Sequence, residues 1–306
     1  MPASQLNRIE TALKISEKLD QRAVEKSVTA WMTAGAKDFE FKGNGVFRVP
    51  SIRMSGLGDY RKDLGYPMGS VTMTYHDYTC KYDRSRGFTL DSQDVDESNF
   101  VVSAARSLSI FLDEYVTPEI DAIRFAELCA IASGKSHATT GYTPSKTDIY
   151  SKLLNAMYAV KDSGSQEVVA HVSSDVLAAL AVSSEFQHAL RKDDFNSGRI
   201  YSKVTYIDDM PLILTPKSRF YSAIDLYDGI TAGEEGGGYK KATAGKEVNF
   251  MVVGKDVPAA IEKHSVKNII PPGDHTRGDN WFFATRVYHD LLAKETKKDG
   301  VYINTK

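Results

Sequence analysis

Four carboxylates, Asp91, Asp94, Asp96 and Glu97, fall within seven consecutive residues, a density that could offer oxygen ligands to a hard divalent cation. The spacing does not complete the helix–loop–helix calcium pattern, because Asn99 stands where that loop needs its glycine. Asp94 with Glu97 three positions later fits a capping box, which satisfies the free amides at a helix start without any metal. The run Gly236-Gly237-Gly238 lacks the Lys-Ser/Thr of a phosphate-binding loop, and no G-x-G-x-x-G opens a helix after a strand. Seven histidines include no H-E-x-x-H and no His/Cys group at zinc-ligand spacing. Ser265 beside His264 has no G-x-S-x-G elbow around it, and His289-Asp290 falls in a predicted strand. The sequence therefore assigns no catalytic, cofactor-binding or metal-binding residue, and it predicts no enzyme and no cofactor.

What the carboxylates introduce is a long helix. Val101, Ala105, Leu108, Leu112 and Tyr115 recur at alternating spacings of four and three, one continuous stripe on a helical surface. Continued through Thr117-Pro118-Glu119-Ile120-Asp121 to Cys129, the helix would reach roughly forty residues with one interruption, against a usual mean of about 11–12. Pro118 lacks an amide and its ring crowds the preceding turn. The expected consequence is a kink, or a restart with Thr117 as N-cap, with Val116 and Ile120 buried around it.

Ahead of the helix, Phe39 to Asp83 reads as a two-stranded excursion. Val46 to Met54 alternates in part, and Val71–Tyr75 and Tyr78–Tyr82 are rich in β-branched and aromatic residues. Gly56 to Gly69 between them is loop chemistry throughout. A two-stranded ribbon is marginal by itself and needs a surface to lie on. Earlier still, residues 5–34 form a helical candidate with Leu6, Ile9, Leu13, Leu19, Val24 and Val28, stopped by Gly35.

After the helix, Ser133 to Thr147 is rich in Gly, Ser, Thr and Pro and marks a boundary. A helix through Ile149, Leu153, Met157 and Val160 closes at Gly164. A strand at Glu167–Val172 precedes a helix capped by Ser174 and Asp175. Strands follow at Ile200–Ile207 and Met210–Leu214, separated by Asp208-Asp209, and at Val248–Val253. A short helix at Val257–His264, a strand at Val266–Ile270 and a long strand at Trp281–Leu292 complete the order. The glycines from Gly229 to Gly245 read as a mobile surface loop.

Three hundred and six residues exceed one ordinary core, so two or more subdomains are expected. Hydrophobic residues make up 42% and charged residues 25%, the balance of a folded protein. A net charge of −2 gives no basic excess of the kind nucleic-acid binders carry. No eighteen-residue apolar run and no signal peptide is present. Two cysteines, Cys80 and Cys129, are too few for a disulfide framework, which makes a reducing cytoplasm the default.

The stretch from Tyr82 to Cys129 resembles the tailed-bacteriophage major capsid proteins of the Hong-Kong-ninety-seven-type fold. In those proteins a strand leads through an Asp-Arg and an Asp-x-Asp-Glu pattern into a spine helix with a Pro-Glu-Ile-Asp step. Arg286–Leu292 followed by Lys297–Ile303 resembles the family's closing strand and hairpin, and the likeness runs from about Phe39 to Ile303. It implies an α+β fold with an N-terminal arm at 1–38, an extended β-hairpin loop at 39–83, a peripheral domain with the spine helix at 84–142 and 273–306, and an axial α+β domain at 143–272. It also implies a structural shell subunit with itself as partner, in hexamers and pentamers, along with portal and scaffolding proteins. Double-stranded DNA would be enclosed without sequence-specific binding and no membrane would be involved. The subunit would be made in the host bacterial cytoplasm and end in the virion. A near-neutral charge suits a wall that must not hold packaged phosphates. The glycine loop is then expected on the axial surface near a capsomer centre. Lys62 is placed as a lysine at the loop tip, where some relatives cross-link but most do not; flanked by Asp59 and Asp63, it reads first as a solvated side chain. The alternatives are an encapsulin-like bacterial compartment shell, or an α+β enzyme with an unrecognised site.

Overall fold

The computed structural model describes residues 27–38, 40–43, 46–63, 65–91, 108–135, 137–183, 190–196, 201–270 and 280–306. Asp94, Asp96 and Glu97, with Val101 and Ala105 of the expected helix start and the helical candidate before Ser27, lie outside them.

Ala30–Asp38 is a 3-10 helix, so Gly35 does not stop it. Gly35 is needed for clearance instead: a Cβ there would come 2.2 Å from the Pro258 carbonyl oxygen. Glu40–Gly43 (β1), Val46–Met54 (β2) and Val71–Thr79 (β3) then form an antiparallel ribbon. Tyr82–Asp91 (β4) leaves the ribbon for a different sheet.

Residues 108–111 are helical, Leu112–Val116 form a π-turn, and Thr117–Gly134 (α1) continues the helix. Thr117 has helical torsions (φ −62°, ψ −44°) and its amide bonds to the Leu112 carbonyl five residues back. Thr117 is therefore not an N-cap, and Pro118 does not restart the helix. The wider turn gives the proline ring the room that a regular α-turn would deny it. Val116 and Ile120 are half-buried rather than buried.

Two layers of helix then cover a seven-stranded sheet. Its members are Ala138–Thr139 (β5), Val168–Val172 (β6), Leu190–Asn196 (β7), Tyr201–Ile207 (β8), Met210–Leu214 (β9), Val248–Gly254 (β12) and Val301–Thr305 (β15), in the order β5-β15-β12-β6-β9-β8-β7. Ile224–Leu226 (β10) and Tyr239–Lys241 (β11) pair separately. All seven residues of β12 are buried. Met251 and Val253 pack with Phe125 and Leu128 of α1, whereas Phe250 and Val252 pack with Leu153 and Met157 of Ile149–Asp162 (α2) and with Val176 of Ser174–Val182 (α3). Burial on both faces is why β12 reads as a continuous apolar run rather than an alternation.

Gly164 ends α2 at φ +101° and Asp208 turns β8 into β9 at φ +51°, as the local sequence predicts. The cap of α3 is different. Ser173 occupies the extended cap position, and Asp175 pairs with Lys217 at 2.7 Å and Lys306 at 3.1 Å rather than capping.

Two expectations near the end of the chain are overturned. Pro258–Ile270 (β13) is a single strand, so there is no helix at 257–264. It lies along Asn280–Ala293 (β14), whose other edge takes β4, giving the order β13-β14-β4. The fourteen-residue β14 offers a ladder over the full length of β13, and this tertiary pairing overrides local propensity. Nor does β15 form a hairpin with β14. Both edges of β14 are already occupied, and β15 inserts between β5 and β12.

Candidate assembly interface

In an antiparallel pair, residues directly opposite each other point to the same face. The register of the ribbon sets Met54 opposite Val71 and Ile52 opposite Met73, with Tyr75 following on β3. One face of the distal ribbon is therefore apolar. The other carries Arg53 opposite Thr72 and Ser51 opposite Thr74. The apolar face is bare: Ile52 is 56%, Met54 70%, Val71 70% and Met73 52% exposed. Leu57, Tyr60, Tyr66 and Met68 extend the exposed apolar surface around the tip. A contiguous patch of this kind marks an interaction surface far more often than scattered apolar residues do.

The base of the ribbon is fixed. Phe47 and Cys80 pack against Ile261 of β13 and Leu292 of β14. Arg48 donates twice to Asp77 across the strands, at 2.6 and 2.8 Å. At the neck of the tip the Ser55 amide bonds to the Ser70 carbonyl at 3.0 Å, and Ser55 Oγ accepts from the Ser70 amide at 2.9 Å. A rigid base with an uncovered distal face suits a lever that reaches away from its own core.

A second set of contacts ties the segment beginning at Ser27 to α1. The fully buried Asp121 carboxylate accepts from Ser27 Oγ at 2.7 Å, Thr29 Oγ1 at 2.5 Å, the Val28 amide at 3.2 Å and Arg219 at 2.9 Å. Arg124, also buried, donates to Thr29 Oγ1 at 2.9 Å. Trp31 Nε1 donates to His171 Nε2 at 3.2 Å, so His171 Nδ1 carries the proton it gives to Thr215 Oγ1 at 3.1 Å. Burial pushes the His171 pKa down to about 3, which keeps this acceptor neutral.

The glycine loop is not on a remote surface. Arg84 of β4 donates to Glu119 of α1 at 2.6 Å, to the Tyr227 carbonyl at 2.8 Å and to the Gly238 carbonyl at 3.3 Å. Arg86 adds a bond to the Glu235 carbonyl at 3.0 Å. The loop thus lies against β4 and the helix while its tip stays at the surface, with Ile230 85% exposed. Gly229, Gly233, Gly237 and Gly238 have positive φ, so its glycines serve a tight fixed path.

Among the described residues no group of His, Cys, Asp and Glu could hold a metal ion, and no helix is long and apolar enough to cross a membrane. Cys80 and Cys129 are both buried and free. Lys62 sits exposed in the turn between Arg61 and Gly65. The sequence reading missed the Asp121 cluster and the bare ribbon face. The alternation of β2 and β3 carried the signal for the face, but not for what covers it.

No family model and no curated protein matches the chain. Solved structures do. The mature capsid of bacteriophage PhiM1 aligns with a TM-score of 0.56 at 12% identity, covering 86% of this chain and 82% of that one. A structure from Gordonia phage Cozz aligns at 0.53 and 13% identity, covering 84% and 80%. The capsid of the cyanophage P-SCSP1u aligns at 0.52 and 8% identity, covering 87% and 84%. At such identities the likeness lies in the path of the backbone, and that path is the phage major-capsid-protein fold.

Proposed function

We propose that this chain is the major capsid protein of a tailed bacteriophage, a structural subunit that assembles with copies of itself into an icosahedral head around double-stranded DNA. The observation that carries the reading is the bare apolar face formed by Ile52, Met54, Val71 and Met73. It projects from a fold shared with the capsids of PhiM1 and P-SCSP1u. Its occupant in this reading is a second copy. Residues 1–38 serve as an arm and 39–83 as the extended loop. Segments 84–142 and 273–306 form the peripheral domain, and 143–272 the axial domain. Repeating modest contacts around closed symmetry stabilises a shell without any single strong contact. Portal and scaffolding proteins are the further partners, and the virion is the final location. The reading calls for no catalytic chemistry.

Negative-stain microscopy of the purified chain tests this: rings or closed shells are expected. Deleting 56–69 should leave a folded subunit that no longer closes shells. A chain that stays monomeric at high concentration overturns the reading, and assembly unaffected by the deletion overturns the role of the loop. Shells that carry enzyme cargo and lack a portal vertex would favour a bacterial compartment instead.

A further inference from the structure

The register of the ribbon also fixes where its backbone groups point. In an antiparallel ladder, pairs that exchange hydrogen bonds alternate with pairs that do not. The Ser55 amide bonds to the Ser70 carbonyl. By alternation Arg53 with Thr72 and Ser51 with Thr74 are bonded pairs, whereas Met54 with Val71, Ile52 with Met73 and Pro50 with Tyr75 are not. Pro50 has no amide to give, and it falls on an unbonded pair as its chemistry requires. At unbonded pairs the amides and carbonyls point outward, to the free edges of the ribbon.

The two edges differ. On β2, Val46 and Arg48 already face β1, and Pro50 removes the next outward donor. On β3, Val71, Met73 and Tyr75 all turn amide and carbonyl outward, and among the described residues no strand lies beyond β3. β3 runs nine residues in unbroken register, with no proline, lysine or arginine, and its Asp77 is matched by Arg48. Edge strands are ordinarily guarded by shortness, by lysine or proline, by a bulge or by a cover, because an open edge templates pairing with another chain.

The other described edges carry those guards. β4 has Arg84 and Arg86, which hold the glycine loop. β7 contains Arg191 and Lys192. β13 contains Lys263 and shifts register between Glu262 and His264. β1, β5, β10 and β11 are four residues or shorter. The edge that fits β3 is therefore another β3.

We infer that β3 of one copy pairs antiparallel with β3 of a second copy, edge to edge, about a two-fold axis perpendicular to the ribbon. Such a contact is self-complementary, since each copy offers the other the same outward groups. The axis keeps both apolar faces on one side and joins them into a single face. The overlap centres within Val71–Tyr75, because nearer the base, which is packed on β13 and β14, the 56–69 loop of each copy would run into the body of the other. The inference rests on the self-association proposed above and adds to the apolar face a second contact, made by backbone.

Single cysteines placed in turn at positions 71 to 75 of the full chain test the pairing. Cys80 and Cys129 are buried, so the parent gives the background. Mild oxidation of assembled material should give disulfide dimers that peak at one position and fall away on both sides. Met73→Pro removes an outward amide, as Pro50 does across the ribbon, and should abolish self-association, whereas Met73→Ala keeps the amide and should retain it. Hydrogen exchange should show Thr72 and Thr74 still protected in Met73→Pro, which separates a lost edge from a lost fold. In the parent the Met73 and Tyr75 amides should exchange freely in the dilute monomer and become protected on assembly. Shells that form with no dimer at any of the five positions, or equally well from both Met73 variants, overturn the pairing and leave the shell reading standing. A Met73 amide already protected in the monomer overturns it too, since the edge would be covered by its own chain. A parent that never self-associates overturns both.

Discussion

Ile52 and Met73 stand directly opposite each other on the ribbon, and each is more than half exposed. Neither supports the core of its own chain, so changing them tests the face without disturbing the fold behind it.

Replacing both, as Ile52→Ser with Met73→Ser, should leave subunit stability within about 0.5 kcal/mol, the usual range for surface changes. Self-association should be lost. Urea unfolding of the subunit and size-exclusion chromatography read the two effects separately. A large fall in stability would mean that the face is covered within its own chain.

Asp121→Ala should be severe. It removes a fully buried carboxylate and strands Arg219 and the donors from Ser27, Val28 and Thr29. Breaking a buried pair from one side costs about 3–5 kcal/mol. The midpoint in urea should fall, and the segment from Ser27 should become an early site of proteolysis.

Gly35→Ala should loosen the same segment by another route. The obstacle to a Cβ is the backbone oxygen of Pro258 at 2.2 Å, which cannot swing away as a side chain would. Amide exchange in 30–38 should rise while exchange in β12 stays slow. Equal protection of 30–38 in Gly35→Ala and in the parent chain would show that the 3-10 helix can shift without cost.

The pH dependence has opposing parts. His171 and His289, each with a folded pKa of about 3 against about 6.5 unfolded, lose their stabilising effect as pH falls below about 6.5. Burial raises the Asp290 pKa to about 6 from about 3.9 unfolded, so its effect is present at low pH and lost as pH rises through 6. Near pH 5 one carboxyl therefore offsets one of the two imidazoles. Asp290→Asn should steepen the acid loss by about 1.4 kcal/mol per pH unit, and His171→Gln should flatten it by the same amount. Urea midpoints between pH 4.5 and 5.5 check both signs.

Much of the fold was legible locally. The apolar run of β12, the glycine closing α2 and the turn at Asp208 follow from their own residues. What could not be read depends on distant partners. Val257–His264 has apolar residues compatible with a helix, and only the presence of β14 makes it a strand. The Asp121 cluster unites Ser27 with a residue 94 positions away, and no local pattern announces that pairing. Pro118 announces a disturbance of the helix, but nothing local says that it is accommodated by a π-turn at 112–116 rather than by a break. The ribbon alternates in the same way whether its apolar face meets its own chain or another, so the sequence shows the face and not its exposure.

The position of β15 also sets an order of events during synthesis. The strand at 301–305 lies between β5 and β12, so the central sheet stays open until those residues have left the ribosome. The ribbon is complete by Thr79. At ordinary elongation rates of about 5–20 residues per second, its apolar face precedes a finished core by tens of seconds. A nascent chain thus displays an uncovered apolar face well before it has a rigid body behind it, and chains crowded on one polysome can meet at that face before any of them has folded.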